Sequence, residues 1–271
     1  MTFFQFDCNK VAVAMCFFGW MFFLKLSNAE ETQIKTPNKY YLDGLYYYAD
    51  KSHTSAAEQF EALSKNYPYS NYTRNSLIME AFTNYSDKEY DKISAITEVY
   101  FRLFPNDAYA SYMAYINAMS YYATIKNAEN SLDNMERSYK LFLDVQNNFA
   151  NTKYAEDAKI KLEYLSKMMQ LNDIKIGDFF FSRGDYIGAM RKYTGMFKKY
   201  KGKMLPEIQE RALCGCKTCA KTLNLDKLAD DYLNRLKRNF PHSKCLPSGI
   251  QNMECLSPKY TKSNEAAAVR R

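Results

Sequence analysis

One helix-ending pattern, used five times, constrains this chain more than any other feature. The windows are AAEQFEALSKNYPYS (56–70), ISAITEVYFRLFPND (93–107), SYKLFLDVQNNFANT (138–152), AMRKYTGMFKKYKGK (189–203) and ADDYLNRLKRNFPHS (229–243). The first place is small or apolar each time: Ala56, Ile93, Ser138, Ala189 and Ala229. The eighth is apolar or aromatic: Leu63, Tyr100, Val145, Met196 and Leu236. The twelfth is always aromatic: Tyr67, Phe104, Phe149, Tyr200 and Phe240. Places 1, 5, 8 and 12 lie on one face of an α-helix. Pro68, Pro105 and Pro241 then end the helix, because proline has no donor and clashes with the preceding turn.

A pattern repeated in this way predicts stacked helix–turn–helix units rather than one irregular bundle. Units of the tetratricopeptide length fit residues 37–70, 74–107, 170–203 and 210–243. Gly44 and Gly177 then fall at the small position where the two helices of a unit meet, with Tyr47 and Phe180 three residues on. The expected fold is an all-α tetratricopeptide-like solenoid of about five units in two subdomains. Repeats 1–3 occupy residues 37–152, and a linking helix with repeats 4–5 occupies residues 153–243. The third unit has a stretched connection, IKNAENSLDN (125–134), and residues 153–182 read as one long helix or two nearly continuous ones. Composition agrees: apolar residues are 47% of the chain, while 9 Gly and 7 Pro are few for an all-β or disordered protein. The net charge of +7 is scattered, with no basic run that would track phosphates, so nucleic acid is not an expected partner.

The N-terminus stands apart. VAVAMCFFGWMFFL (11–24) follows Lys10 and precedes SNAE (27–30), with Ser27 and Ala29 at the −3 and −1 places of a cleavage site. Residues 1–29 are therefore expected to be a signal peptide, or an N-terminal membrane anchor over residues 3–26 if uncleaved. Cys16 is a poor lipidation site, because Met15 stands where a small residue is wanted, and Cys8 is worse. Residues 244–271 read as a mostly disordered tail.

The first helix of each solenoid unit lines the concave face. Its inward places are Asn38, Tyr41, Leu45 and Tyr48 in unit 1, and Asn75, Ile78, Phe82 and Tyr85 in unit 2. In unit 3 they are Tyr112, Tyr115, Met119 and Tyr122. Such a face is not a solvated one. Aromatic rings bury much area, tyrosine keeps a polar handle, and asparagine can fork onto a peptide amide. It suits an extended segment rich in aromatic residues, or else tight packing between neighbouring helices.

Catalysis finds little support. CGCKTC offers Cys214, Cys216 and Cys219, but no nearby His or acid completes a tetrahedral zinc set. These cysteines are expected to pack as small hydrophobes. A metal or thiol protein built on them, or a local or regulatory disulfide, is an alternative reading. Cys245 and Cys255 flank a short loop and can pair after export. No catalytic triad is assembled on His53 or His242, the two histidines, and no phosphate-binding glycine motif is present. No enzyme activity and no cofactor are expected.

Three stretches carry a resemblance: AAEQFEALSKNYPYSNYTRNSLIMEAF (56–82), VYFRLFPND (99–107), and NTKYAEDAKIKLEYL (151–165) followed by DFFFSRGDYIGAMRKYTGMFKKY (178–200). Over about residues 37–243 the chain resembles the BamD family, also called ComL or YfiO, of outer-membrane assembly lipoproteins. The resemblance implies a periplasmic repeat protein at the inner leaflet of the outer membrane, acting as a receptor and scaffold. Its N-terminal repeats would take the aromatic-ended targeting signal of unfolded β-barrel proteins, and its C-terminal repeats would hold BamA beside other assembly-machine subunits. A basic residue serving the BamA contact in the family falls on Lys192, with Arg191 beside it. Lysine lacks the bidentate reach of arginine at such a contact. The lipidated cysteine of the family has no good counterpart. A different periplasmic repeat adaptor, for envelope division or pilus assembly, is the other reading of the same fold.

Overall fold

The computed structural model describes residues 35–125 and 131–246. The N-terminal apolar run and Cys255 lie outside the described residues. Within them are ten α-helices and no strand: α1 (Pro37–Ala49), α2 (His53–Asn66), α3 (Thr73–Ser86), α4 (Tyr90–Leu103), α5 (Ala110–Thr124), α6 (Ser131–Asn148), α7 (Lys153–Ser182), α8 (Tyr186–Lys199), α9 (Pro206–Thr222) and α10 (Asp226–Asn239). Each helix packs on its sequence neighbours, and α3 on α5, α5 on α7 and α7 on α9 stack beyond that. Contacts limited to adjacent elements are the mark of a helical-repeat solenoid.

The five windows become the second helices of the pairs. Ala56, Leu63, Ile93, Tyr100, Ser138, Val145, Ala189, Met196, Ala229 and Leu236 are all buried. The aromatic twelfth place is the residue at which each helix stops. The N–H groups of Tyr67, Phe104, Phe149, Tyr200 and Phe240 donate to the carbonyls of Leu63, Tyr100, Val145, Met196 and Leu236, at 2.8–3.0 Å. At Tyr67, Phe104 and Phe240 the backbone has already left the helix, with φ near −136°. At Phe104, Tyr200 and Phe240 the same residue also puts a ring against the core.

The turns within the pairs are built alike. In four of them the helix ends in a Schellman motif, with one residue in the left-handed region: Lys51, Lys88, Gly184 and Asn224, at φ of 58–79°. The N–H groups of Ser52, Glu89, Asp185 and Leu225 then reach back to the carbonyls of Tyr47, Asn84, Phe180 and Ala220. Helix starts are fixed by side chains at three places: the hydroxyls of Thr36 and Thr152 accept from Lys39 N and Ala155 N, and Asp185 accepts from Gly188 N. Pro37 and Pro206 open α1 and α9, where their missing donor costs nothing.

Close packing within a pair depends on glycine. A Cβ on Gly44 would lie 2.6 Å from the Phe60 ring, and one on Gly177 would lie 2.4 Å from the Tyr193 ring. Gly215, on α9, closes on the other edge of Tyr193 at the same 2.4 Å. Residues 153–182 form one continuous helix of 30 residues, α7, which packs on both α6 and α8. At 30 residues against 13–17, it is the longest of the first helices of the pairs.

The cysteines correct one expectation. Cys245 is bonded to Cys214 rather than to Cys255, closing a separation of 31 residues with Cα atoms 5.9 Å apart. The chain continues past α10 and folds back on α9, so Cys245 and Leu246 are buried, and Lys217 donates to the Cys245 carbonyl at 2.7 Å. Cys214 is therefore a bridged residue, not a packed thiol. Cys216 and Cys219 are free and fully buried, as packing predicts. Burial pushes both thiols up to about 12, so they stay protonated and inert. The run offers two thiols for chemistry, not three.

Candidate functional site

The inward places of α1, α3 and α5 form a line of aromatic contacts that crosses from helix to helix. Tyr41 packs its ring on Phe60 and Tyr72, with centroids 5.9 and 5.5 Å away. Tyr48 meets His53 at 5.4 Å and Phe82 of α3 at 5.6 Å, which joins unit 1 to unit 2. Tyr85 sits on Tyr90 at 5.3 Å. Tyr48 and Tyr85 also stand near enough to the Tyr112 phenol to raise it further, after burial, the larger cause, has raised it. The tyrosines of units 1, 2 and 3 therefore share one surface.

The line continues onto α7, where sequence reasoning placed nothing. Tyr154 lies 5.8 Å from Tyr112 and 5.1 Å from Tyr115, and Tyr164 lies 6.2 Å from Tyr122. The Tyr115 hydroxyl donates to Asp157 Oδ2 at 2.7 Å. Lys161 Nζ stands 3.6 Å from the other Asp157 oxygen and 5.4 Å from the Tyr122 ring centroid. Burial and the Asp157 carboxylate both raise the Tyr115 phenol, so it remains a donor. Tyr154, Asp157, Lys161 and Tyr164 hold the same four places counted from residue 153. The signal was present, but counting units backward from 203 begins the fourth at 170 and skips the first half of α7.

Not every inward place does the same work. Asn38 is exposed at the start of α1, and Asn75 accepts from Arg74 Nε at 3.3 Å. Ile78 and Met119 are half-buried against the two apolar cores, and Leu45 is half-buried. Phe82 remains 37% exposed, as does Tyr164 on α7. Tyrosines held by their neighbours yet only half-buried can both brace the superhelix and offer surface to a ligand. Arg191 and Lys192 stand away from this line, exposed on α8 with no ion pair among the described residues.

At the other end of the molecule, Tyr193 O–H donates to Asp178 Oδ1 at 2.7 Å, and Arg211 pairs with the same carboxylate. Burial raises the Asp178 carboxyl, against the pull of Arg211. Among the described residues there is no group of His, Cys, Asp and Glu arranged to hold a metal ion. No described helix is long and apolar enough to cross a membrane.

Comparison with known proteins fits this architecture. An assembly factor of Neisseria gonorrhoeae, named outer membrane protein assembly factor BamD, is 26% identical over 234 residues, covering 83% of this chain and 86% of that protein. The protein of that name from Neisseria meningitidis serogroup A is 25% identical over 234 residues, with the same coverage of both chains. That of Rickettsia prowazekii is 25% identical over 150 residues, covering 55% of this chain and 60% of that protein. Among solved structures, Pseudomonas aeruginosa pilF aligns over 77% of this chain and 94% of that one at 14% identity, with a TM-score of 0.35, too low to weigh for or against a pilus adaptor. The YfiO family, described as outer membrane lipoprotein, matches residues 33–236, and the chain belongs to it.

Proposed function

We propose that this protein is a non-enzymatic receptor and scaffold in outer-membrane protein assembly, working at the periplasmic face of the outer membrane. Its relatives' names support the process, and the aromatic contacts that join α1 to α3 and α5 to α7 support the role. An unfolded β-barrel segment is extended and alternates apolar and aromatic side chains with polar ones. A face of half-buried tyrosines can pack those rings, while hydroxyls and the Asn38 and Asn75 amides serve the backbone. The mechanism is binding alone. The groove holds the nascent segment, and the exposed Arg191–Lys192 pair on α8 meets an acidic surface of BamA. Two ends carrying two partners make a scaffold that brings client and insertase together. Subdomains at 37–152 and 153–243 would divide these tasks.

The test is a pair of photo-crosslinkers, one at Tyr85 and one at Lys192, in protein produced in its native membranes. Capture of barrel precursors at Tyr85 and of BamA at Lys192 is the expected result. If the Lys192 position captures only envelope-division or pilus proteins, this reading is wrong and the chain is another kind of adaptor.

A further inference from the structure

A second site lies on the other side of α7. Tyr164 and Ser166 are two residues apart, so they point about 200° from one another around the helix. Ser166 lines a cleft of about 470 Å³ enclosed by α6, α7, the end of α8 and the turn that follows. Glu136, Lys140, Lys199, Lys201 and Lys203 line it as well.

The charges there do not balance. Lys199 Nζ bridges Glu136 at 3.0 Å and Asp173 at 3.1 Å, and Tyr200 donates to the same Asp173 oxygen at 2.5 Å. Both carboxylates of the neighbourhood are thereby engaged. Lys140, Lys201 and Lys203 have no acidic partner among the described residues. Nor are the last two carried on a loose loop. Gly202 takes φ of +71°, Lys203 N donates to the Tyr200 carbonyl at 2.8 Å, and Gln170 clamps the turn from within. That glutamine is 1% exposed; its Nε2 donates to the Lys203 carbonyl at 3.1 Å and its Oε1 accepts from Leu205 N at 2.8 Å. A buried amide thus holds two lysines at the mouth of a cleft whose third lysine comes from α6.

We propose that this cleft binds a phosphate group, that of an anionic phospholipid headgroup at the membrane where this lipoprotein family resides. Lys140, Lys201 and Lys203, beside a Lys199 shared between two carboxylates, leave the cleft a net charge of +2, and these ammoniums with the Ser166 hydroxyl match a compact group with several anionic oxygens. The volume admits one headgroup and not a run of acidic residues. Contact with the membrane surface would set how the tyrosine-lined face is presented, yet the site stands or falls independently of what the groove binds.

Full-length protein is floated with phosphatidylcholine vesicles containing or lacking phosphatidylglycerol, and inorganic phosphate is titrated separately. Two variants are compared: Lys140→Gln/Lys201→Gln/Lys203→Gln, and a charge-matched control, Lys159→Gln/Lys227→Gln/Lys237→Gln, at exposed positions elsewhere. All six are surface changes, so both proteins should fold, and their far-ultraviolet circular dichroism checks it. The cleft variant should bind phosphatidylglycerol vesicles about ten-fold or more weakly, with the control close to wild type. Equal losses in both variants, or none in the cleft variant, overturn the proposal. Weakened binding of inorganic phosphate with unchanged vesicle binding also overturns it, assigning the cleft to a soluble phosphate instead.

Discussion

Gly44 and Gly177 occupy the same slot in two repeats, and their surroundings differ. Gly44 makes room for an apolar ring, Phe60, from one side. Gly177 makes room for Tyr193, which Gly215 closes on from the opposite edge and whose hydroxyl is tied to Asp178. Asp178 is tied in turn to Arg211 on α9, and α9 is stapled to the chain beyond α10 by Cys214–Cys245. The later repeats are locked by geometry, charge and a covalent bond. The early ones rely on half-buried tyrosines that lean on one another. The division is one of rigidity at one end and adaptable aromatic packing at the other.

The largest way to break the comparison is to remove the staple. Replacing both Cys214 and Cys245 by alanine should cost about 3–4 kcal/mol, the loop entropy restored to an unfolded chain closed over 31 residues. Because solenoid contacts run between neighbours, the loss should concentrate in α9 and α10. Hydrogen exchange would then quicken there and stay near wild type in α1–α4. A uniform loss of protection would mean that the two ends unfold as one unit, and the contrast drawn between them would fail.

The glycines give a finer test. Gly177→Ala and Gly44→Ala both put a methyl inside a ring's contact distance. Phe60 can tilt away from one glycine, but Tyr193 is held on both edges and at its hydroxyl. Gly177→Ala should therefore cost about 3 kcal/mol and Gly44→Ala about 1–2 kcal/mol in urea unfolding. Equal costs would show that the second glycine and the Asp178 bond add no rigidity.

Much of this was legible before any coordinates, and the reasons are specific. Places 1, 8 and 12 of the five windows were readable because core packing and the helix stop act on the same residue types in each repeat. Two of the four left-handed turn positions were not, since Lys51 and Lys88 stand where glycine or asparagine, as at Gly184 and Asn224, would have announced them. Local sequence favours other residues there, and the Schellman bonds prevail. The disulfide was misread because Cys255 is near Cys245 along the chain, whereas Cys214 is near it only after α10 folds back on α9. On the tyrosine-lined face, the places expected in units 1–3 rest on register. Asp157 and Lys161 were missed because α7 is longer than one unit's first helix, so counting 34 residues back from 203 starts inside it, at 170.

The comparison sharpens with pH. The early repeats bury a carboxyl, Glu80, with no cation paired to it; Ser64 Oγ offers only a 3.5 Å contact, Glu61 repels its charge, and Lys65 only partly offsets this. Burial, more than Glu61, pushes this carboxyl from the model-compound value of 4.5 up to about 8. The folded state holds the proton that the unfolded chain releases above 4.5. The stability linked to Glu80 is therefore full below that value, declines as pH rises, and is lost once pH passes about 8. Glu80→Gln keeps the shape and removes the titration. It should match wild type near pH 5 and be more stable by about 2 kcal/mol near pH 8, with hydrogen exchange slowed in α2 and α3. The later repeats bury their acid, Asp178, against Arg211, which offsets part of the rise that burial causes, so their slope should run the same way and be shallower. If Glu80→Gln is equally stable to wild type at both values, the carboxyl is solvated in solution. The early repeats would then breathe enough to admit water beneath the tyrosine-lined face, a larger difference between the two ends than packing alone implies.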